Sequence, residues 1–124
     1  MSEELRGVVV GHGGVGHALV AAAEEITGIR GVLVGVTNTG ADREALEERV
    51  VAAVGDRPAI VFVDMPSGSC LVAAMRRVAA RPDIKVVTGV NLVMLLEFLF
   101  HRTEPVAEAA RRAAESGAKS IAQR

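Results

Sequence analysis

The sequence has no tryptophan and no tyrosine, only three phenylalanines, and a single cysteine, Cys70, among its 124 residues. Without aromatic side chains to stack on bases, and with a formal net charge of −1, it does not have the composition of a protein that binds nucleic acid. One cysteine cannot form a disulfide within the chain, which is typical of proteins from a reducing compartment. The composition therefore predicts a cytoplasmic protein that binds no nucleic acid.

The sequence also lacks a leader and a long hydrophobic run. The N-terminal residues MSEELRG are acidic and do not contain the apolar core of a signal peptide. The longest apolar stretch, residues 86–100, is interrupted by Gly89, Asn91 and Glu97, and is too short and too polar to span a bilayer. We therefore expect a soluble protein. At this length, one domain covering residues 1–124 is the default.

Aliphatic residues are abundant, since half of the chain is hydrophobic. Four short apolar runs, at residues 6–11, 31–36, 59–65 and 84–89, are typical of strands that are buried on both faces of a sheet. Apolar residues at helical spacing follow each run, and a last alanine-rich helix is predicted to begin near Pro105. The order βαβαβαβαα predicts an α/β domain with a mostly parallel, open sheet and helices on both faces.

Particular residues are predicted to bound these helices. Asp42 and Asn91 are of the residue types that cap helix N-termini, and Gly28 is suited to end the first helix. Ser67 and Ser69 are both suited to cap the third helix. The helix ends are thus predicted from local sequence alone.

Two polar, glycine-rich segments follow the first and third predicted strands: GHGGVGH at residues 11–17 and DMPSGSC at residues 64–70. In open parallel sheets, ligands bind beyond the carboxyl ends of the strands. Each segment also precedes a helix N-terminus, whose free amides attract anions. The sequence therefore predicts an anion site that is lined by His12, Asp64, Ser67 and Ser69.

Four other chemistries fit these segments less well. The first segment contains G-x-G-x-x-G, but the second strand ends in VTNT, without the carboxylate that binds the ribose of a dinucleotide. Ser67 lacks the first glycine of a hydrolase G-x-S-x-G elbow. His12, His17 and Asp64 do not form a tight set of metal ligands by their spacing. A pair of Cys70 and His12 is conceivable, although a cysteine inside a helix is more often a small buried hydrophobic residue.

Phosphoryl transfer onto histidine fits the segments best. An imidazole with the reference pKa of about 6.5 is largely neutral in the cytoplasm and has a nucleophilic ring nitrogen. A carboxylate bonded to the other ring nitrogen fixes the tautomer and stabilises the developing positive charge. Asp64 is suited to this role, because its strand is expected beside the strand that precedes His12. Gly13 and Gly14 allow the backbone to approach a phosphoryl group closely.

Three segments together resemble the IIA component of the mannose-type (mannose/fructose/sorbose family) sugar phosphotransferase system. The first is VVVGHGGVGHALVAAAEEITG, with its histidine after strand one. The second, IVFVDMPSGSC, is similar to the family's Asp-x-x-Gly-Gly-Ser-Pro segment, and the third, VVTGVNLVMLLE, to its Gly-Val-Asn-Ile-Pro-Met-Leu segment. The resemblance runs over nearly the whole chain and keeps the order and spacing of the segments.

The resemblance implies a phosphotransferase component that uses no metal and no organic cofactor. It implies that His12 accepts a phosphoryl group from the phosphohistidine of HPr and passes it to a histidine of a IIB component. Asp64 would orient His12, and Ser69, with Gly13 and Ser67, would hold the phosphoryl group. The family further implies a homodimer, an antiparallel edge strand, here expected at about residues 119–122, and contact with the membrane only through a IIC/IID permease.

The sequence departs from the family's pattern at five positions. Gly11 replaces a hydroxyl residue, Pro66 a bulky apolar residue and Ser67 a glycine, while Cys70 and Val93 replace prolines. These changes leave open the sugar and the surface that binds the partners. Because no linker follows the final SIAQR, a IIB partner is expected to be a separate protein. The alternative is a phosphorylation-dependent regulatory or binding domain that is not coupled to sugar transport.

Overall fold

Four strands and five helices alternate in the computed structural model, which describes residues 4–124. The predictions for residues 1–3, at the acidic N-terminus, lie outside the described residues. The elements are β1 (Arg6–Gly11), α1 (Val15–Thr27), β2 (Leu33–Thr37), α2 (Arg43–Val54), β3 (Ala59–Val63), α3 (Ser69–Arg77), β4 (Ile84–Thr88), α4 (Leu92–Phe100) and α5 (Val106–Lys119). This order confirms the predicted alternation of strands and helices.

The four strands form one sheet in the order β2-β1-β3-β4, and every neighbouring pair is parallel. Val10 of β1 lies opposite Val36 of β2 on one side and opposite Val63 of β3 on the other. After β1, the chain therefore first forms β2 along one edge of β1 and later forms β3 along its other edge. The carboxyl ends of β1 and β3 meet at this reversal of strand order, where open α/β sheets bind ligands.

Helices cover both faces of the sheet, as the apolar strands require. On one face, Val9 and Phe62 pack with α1, α4 and α5, and the rings of Phe62 and Phe98 meet edge-to-face with their centres 5.5 Å apart. On the other face, Val10 and Val63 pack with α2 and α3, against residues that include Val50. Successive strand residues thus enter two different cores, which explains why valine occupies consecutive positions of β1.

The helix ends follow the predicted caps at three places and depart from them at one. The side chain of Asp42 accepts from the amide of Ala45, and that of Asn91 from the amide of Met94. Gly28 ends α1 in the left-handed conformation that favours glycine, with φ of 73°. The α3 helix, however, begins after Gly68 and has no side-chain cap. The predicted capping by Ser67 or Ser69 is therefore wrong, because a glycine with φ of 96° takes the N-cap position between them.

The described sheet does not contain the antiparallel edge strand expected at about residues 119–122. Lys119 is the last residue of α5, and residues 120–124 belong to no strand. The amide of Ser120 instead donates to carbonyls of Ser116 and Gly117, so the helix-ending turn takes up the hydrogen bonds that a strand would need. The sheet of residues 4–124 is thus wholly parallel. None of the helices in this part of the chain has the length and apolar character needed to cross a membrane.

Candidate functional site

The predicted histidine and aspartate meet at the carboxyl ends of β1 and β3. His12 directly follows β1, and Asp64 directly follows β3. The backbone amide of His12 donates to Oδ2 of Asp64 over 2.8 Å, and Nδ1 of the His12 ring lies 2.9 Å from the same oxygen. The amide of Asp64 donates to the carbonyl of Val10, which ties the two loops together. Three hydrogen bonds therefore fix the ring of His12 relative to the sheet.

The electrostatics of this pair define the protonation of the ring. The Asp64 side chain is only 11% exposed. Burial by itself raises the pKa of Asp64, but the hydrogen bonds from the amide and ring of His12 outweigh it, so that the pKa lies below its ordinary value. The carboxylate is thus ionised at neutral pH and accepts from Nδ1–H. In the neutral ring the proton stays on Nδ1, and Nε2 keeps its lone pair.

The other edge of the His12 ring faces the start of α3. A Cβ added to Gly68 would lie 3.9 Å from both Cε1 and Nε2 of His12, so the backbone of the loop passes close to the ring. The first hydrogen bond of α3 joins the amide of Val72 to the carbonyl of Gly68, which leaves the three preceding amides outside the helical ladder. Since 39% of the His12 side chain is exposed, a ligand can approach Nε2 beside this helix N-terminus.

The end of β2 holds the loop that carries His12. The amide of Gly13 donates to Oδ1 of Asn38, and the hydroxyl of Thr37 donates to the carbonyl of Gly13 over 2.7 Å. Arg49 in turn donates to the carbonyls of Thr37 and Thr39. From the sequence, this segment stands out only for its missing carboxylate. Its supporting role has one signal in the sequence, because polar residues that end a strand next to β1 can hold the loop that follows β1.

Cys70 is the third chemically active side chain at the site. Its Sγ atom lies 3.8 Å from Nδ1 of His12, and the residue is fully buried in the first turn of α3. Burial, and secondarily the negative charge of Asp64, raise the pKa of the Cys70 thiol above its usual range. The pair of Cys70 and His12 that the sequence allowed is therefore in contact in the structure.

The other two histidines lie elsewhere. His17 packs against Gly35 of β2 and lines a groove of about 640 Å³ with residues of β2 and α2. His101 follows α4 and approaches the carbonyl of Glu97 with its Nδ1 at 2.9 Å. The combination of His12, His17 and Asp64 that was considered as a metal site is thus not formed in residues 4–124, because His17 points its ring towards the edge strand.

The two serines of the predicted anion site are exposed. In residues 4–124 neither Ser67 nor Ser69 forms a hydrogen bond with His12. Ser69 lines a cavity of about 150 Å³ together with Asn38 and Val72. Gly13, the third predicted phosphoryl ligand, has its amide engaged by Asn38. Their roles as phosphoryl ligands stay predictions.

Solved structures with the same fold include three bacterial phosphotransferase system proteins. Component EIIA from Streptococcus agalactiae is 24% identical, with a TM-score of 0.88 and 96% of each chain covered. The mannose/sorbose-specific IIA subunit from Enterococcus faecalis is 22% identical, with a TM-score of 0.86 over 98% of this chain and 96% of that chain. The IIA protein associated with the fucose utilization operon of Streptococcus pneumoniae is 18% identical, with a TM-score of 0.71 over 99% and 96%. These likenesses establish the fold.

The family itself is established by sequence. No curated protein matches the chain. The family EIIA-man, described as the fructose IIA component of the phosphotransferase system, matches residues 7–115, a span that contains His12, Asp64 and Cys70. This match confirms the resemblance that the three sequence segments indicated. The chain therefore belongs to the EIIA-man family of phosphotransferase system IIA components.

Proposed function

We propose that this protein is a phosphocarrier that accepts a phosphoryl group on Nε2 of His12 from phospho-HPr and passes it to a histidine of a IIB component. The observation that carries the proposal is the double hydrogen bond of His12 to Oδ2 of Asp64, through its amide and through Nδ1. This arrangement leaves the lone pair on Nε2, at the edge of the ring that faces Gly68. Membership of the EIIA-man family supports phosphoryl transfer as the reaction.

The transfer needs one nucleophile and one stabilising charge. The lone pair of Nε2 attacks the phosphorus atom of the donor's phosphohistidine, and a new N–P bond forms while the donor's N–P bond breaks. The electron pair of that bond returns to the donor ring. His12 then carries a positive charge shared between Nδ1–H and the phosphorylated Nε2, and the buried Asp64 carboxylate 2.9 Å from Nδ1 stabilises that charge. Transfer to a IIB histidine repeats these steps with His12 as the donor.

The charge on the phosphoryl oxygens is the second electrostatic requirement. The amides that precede the first hydrogen bond of α3 lie after Gly68, and the positive end of this helix therefore lies beside Nε2. The exposed hydroxyl of Ser69, at the first helical position, is available to donate to the same oxygens. A phosphoryl transition state has little covalent chemistry for the protein to perform, so positioning and electrostatic stabilisation of this kind supply the catalysis.

Exposed apolar side chains surround the segments that carry the site. Val15 begins α1, Met65 follows Asp64, and Val72 and Met75 lie on α3, each with 40–52% of its surface exposed. Grouped apolar exposure of this kind marks a protein–protein surface. HPr and IIB must each bring a histidine to the same Nε2, so this surface is suited to bind both in turn. Both partners, and a cytoplasmic location where they would meet, are part of the proposal.

The homodimer is also a proposal. Phe100 at the end of α4 and Ile121 after α5 are large apolar residues with 64% and 79% exposure. β4 lies at an edge of the sheet, with its outer backbone groups free to pair with another chain. A second copy would cover these groups. Light scattering after size exclusion, with Ile121→Asp as the disrupting variant, tests this: a monomeric mass for the unsubstituted protein overturns the homodimer.

The experiment that tests the phosphocarrier function is intact-mass spectrometry at neutral pH after incubation with phosphoenolpyruvate, enzyme I and HPr. We expect a single acid-labile phosphoryl group on the unsubstituted protein and on the matched control His17→Ala, and none on His12→Ala. Because His17 lies against β2 and away from Asp64, its loss should not change the uptake. Addition of a IIB component should then remove the group.

Two outcomes would contradict the proposal. Phosphate on His12→Ala would show that the accepting residue is another one. No uptake by the unsubstituted protein, with HPr of the same organism shown to be phosphorylated, would remove the carrier function. Uptake without transfer to any IIB component would support the regulatory alternative, in which the phosphorylated state itself is the signal.

A further inference from the structure

The site contains a reactive side chain that the proposed phosphoryl transfer does not use. One nitrogen of His12, one carboxylate oxygen of Asp64 and Sγ of Cys70 all lie within 4.8 Å of one another. In the part of the chain that the structure describes, this is the one group of three metal-ligating side chains. The three come from the ends of β1 and β3 and from the first turn of α3, so separate elements of the fold hold each of them in place. The proposed transfer requires Nε2 of His12 and Oδ2 of Asp64, and it assigns no role to the thiol.

A second observation, the unpartnered oxygen of Asp64, points to a cation as the ligand. Oδ1 of Asp64 is buried and has no hydrogen-bond partner, although the side chain is only 11% exposed and Oδ2 accepts twice from His12. A buried carboxylate oxygen without a partner is costly, and native structures pair such atoms with donors or metal ions. The thiol of Cys70 is likewise buried, beside the same carboxylate. Both groups would be satisfied by one cation between them.

We propose that His12 Nδ1, the Asp64 carboxylate and Cys70 Sγ bind one thiophilic divalent cation, such as Zn²⁺, with water as the fourth ligand. Nitrogen, sulfur and carboxylate oxygen are the donors of zinc sites with an open position. In a tetrahedral site, with ligand bonds of about 2.0–2.3 Å, neighbouring donors lie about 3.3–3.6 Å apart. The separations are 3.8 Å from Sγ to Nδ1 and 2.9 Å from Oδ2 to Nδ1, so each of these two pairs is within a few tenths of an ångström of the tetrahedral value. The carboxylate and the thiol lie within 4.8 Å of each other and must move closer around the cation.

Metal binding and phosphorylation exclude each other, a consequence that rests on the proposed phosphocarrier function. When the cation binds, the thiol of Cys70 loses its proton to water and a metal–sulfur bond forms. The proton of Nδ1 is replaced by the metal, and the ring takes up a proton from water at Nε2. That nitrogen then has no lone pair with which to attack phosphorus. The cation therefore switches the phosphorylation site off without covering Nε2.

Direct binding is tested with Co²⁺ as a spectroscopic probe for zinc, using the full chain under reducing conditions at neutral pH. We expect one equivalent of Co²⁺ to give a thiolate-to-cobalt charge-transfer band, which Zn²⁺ then displaces. The chain has a single cysteine, so the band reports on Cys70 alone. Cys70→Ser should lose the band and bind Zn²⁺ about tenfold or more weakly, since even outer-shell changes weaken metal sites by that amount. His17→Ala, which removes a histidine outside the cluster, should bind as tightly as the unsubstituted protein.

Folding of each variant is checked by circular dichroism, and Cys70→Ala serves if Cys70→Ser does not fold. Absence of the charge-transfer band, or equal Zn²⁺ affinity of the unsubstituted protein and the folded Cys70 variant, would overturn the proposed metal site. A band with the expected loss in the Cys70 variant would establish the site by itself, whatever the protein does with phosphate.

The competition is measured as phosphoryl uptake from isolated phospho-HPr. For each protein, the uptake with Zn²⁺ is divided by the uptake without Zn²⁺. We expect Zn²⁺ to lower the ratio for the unsubstituted protein and a chelator to restore it. The ratio for Cys70→Ser should stay near one, which also controls for any effect of Zn²⁺ on phospho-HPr. Equal inhibition of both proteins would overturn the exclusion. A lack of uptake by the metal-free protein would overturn the phosphocarrier function instead, and the cobalt band would still decide the metal site.

Discussion

Two histidines five positions apart, His12 and His17, lie in two regions of the molecule with very different surroundings. The ring of His12 is bonded to a buried carboxylate at the carboxyl ends of β1 and β3. The ring of His17 packs over Gly35 of the edge strand β2, where an added Cβ would lie 3.1 Å from the ring and would need a small shift of its neighbours. The same residue type thus serves a site in one region and packing in the other. The difference teaches that position on the sheet, and not the residue type, decides whether a histidine meets a carboxylate.

The sheet topology explains this difference. β1 lies between β2 and β3, so its end is flanked by the ends of both neighbours. β3 supplies the carboxylate that holds the His12 ring, while β2 supplies Asn38 and Thr37, which hold the backbone of Gly13. β3 thus leads to the carboxylate beside the ring, and β2 leads to the residues that hold the loop. His17, by contrast, lies within α1 and packs over Gly35 in the middle of the outer strand β2, and not beyond the end of a strand.

Asp64→Asn is expected to have the largest effect on the His12 region. The amide keeps the shape of the carboxylate but removes the charge that stabilises the phosphorylated ring and fixes its tautomer. We expect the rate of phosphoryl uptake to fall on the order of 100-fold, the cost of a misplaced reacting group. Stopped incubation with phospho-HPr, followed by intact-mass spectrometry, measures this rate. An unchanged rate in a folded Asp64→Asn protein would show that the carboxylate has no part in the transfer.

Gly68→Ala alters the same region through the backbone. Gly68 has φ of 96° and ψ of −175°, a conformation that is strained for any other residue. We expect a loss of about 1–3 kcal/mol in the free energy of unfolding, and slower phosphoryl uptake because the new methyl group lies 3.9 Å from Nε2. Gly31→Ala is the matched control, since Gly31 has φ of 80° and no neighbour within 4 Å of its added Cβ. Urea denaturation should show both variants destabilised, and only Gly68→Ala should lose uptake.

Gly35→Ala tests the His17 region. Its Cβ would meet Cα, Cγ and Cδ2 of His17 at 3.1 Å, so the α1 backbone or the ring must shift. We expect a loss of about 1 kcal/mol in the free energy of unfolding, at the low end for overpacking, with phosphoryl uptake unchanged. Adding His17→Ala removes the ring atoms and should relieve part of the loss. Slower uptake in Gly35→Ala would show that the two regions are coupled.

Lowering the pH is expected to produce the smallest of these differences between the His12 and His17 regions. The folded-state pKa of Asp64 lies below its ordinary value of 3.8, so the folded protein binds fewer protons at Asp64 than the unfolded chain as the pH falls. The stabilisation is therefore present above the ordinary value and is lost as the pH drops through the lowered folded-state pKa. The difference in free energy of unfolding between the unsubstituted protein and Asp64→Asn should shrink over this interval. A difference that does not change with pH would contradict the lowered pKa of Asp64. As a control, the difference between the unsubstituted protein and His17→Ala should not change between the ordinary and the lowered pKa of Asp64.

Most of the fold was predictable because its signals are local. The valine-rich run that became β1 was predicted with both of its ends, since consecutive apolar residues indicate a strand covered on both faces. Asp42 and Asn91 were predicted as caps because their side chains act on amides three residues away. The start of α3 was predicted less well. Two serines were candidates for its N-cap, but a glycine with positive φ occupies that position.

The site was predictable in part. His12 and Asp64 were paired from sequence, because adjacent parallel strands end at the same edge of the sheet. The contact of Cys70 with His12 was weighed against simple burial, and the structure shows both together. Asn38 and Thr37 escaped notice because their contribution depends on β2 lying beside β1, which no local pattern encodes. The expected antiparallel strand after α5 was not found in the described chain, since its pairing would depend on another strand.

By itself, the sequence determined the elements, their order, the parallel sheet, the family and the pairing of a histidine with an aspartate, since these depend on periodicity, on caps and on short motifs. The tertiary structure decided which oxygen of Asp64 holds the ring, which ring nitrogen keeps its lone pair, and that the third side chain at the site is Cys70 and not His17. The physical reason is distance, because these contacts join residues up to 58 positions apart in the chain. The pairing of β1 with β3 brings Asp64 to His12, and the packing of α3 against the sheet brings Cys70 within 4 Å of the same ring.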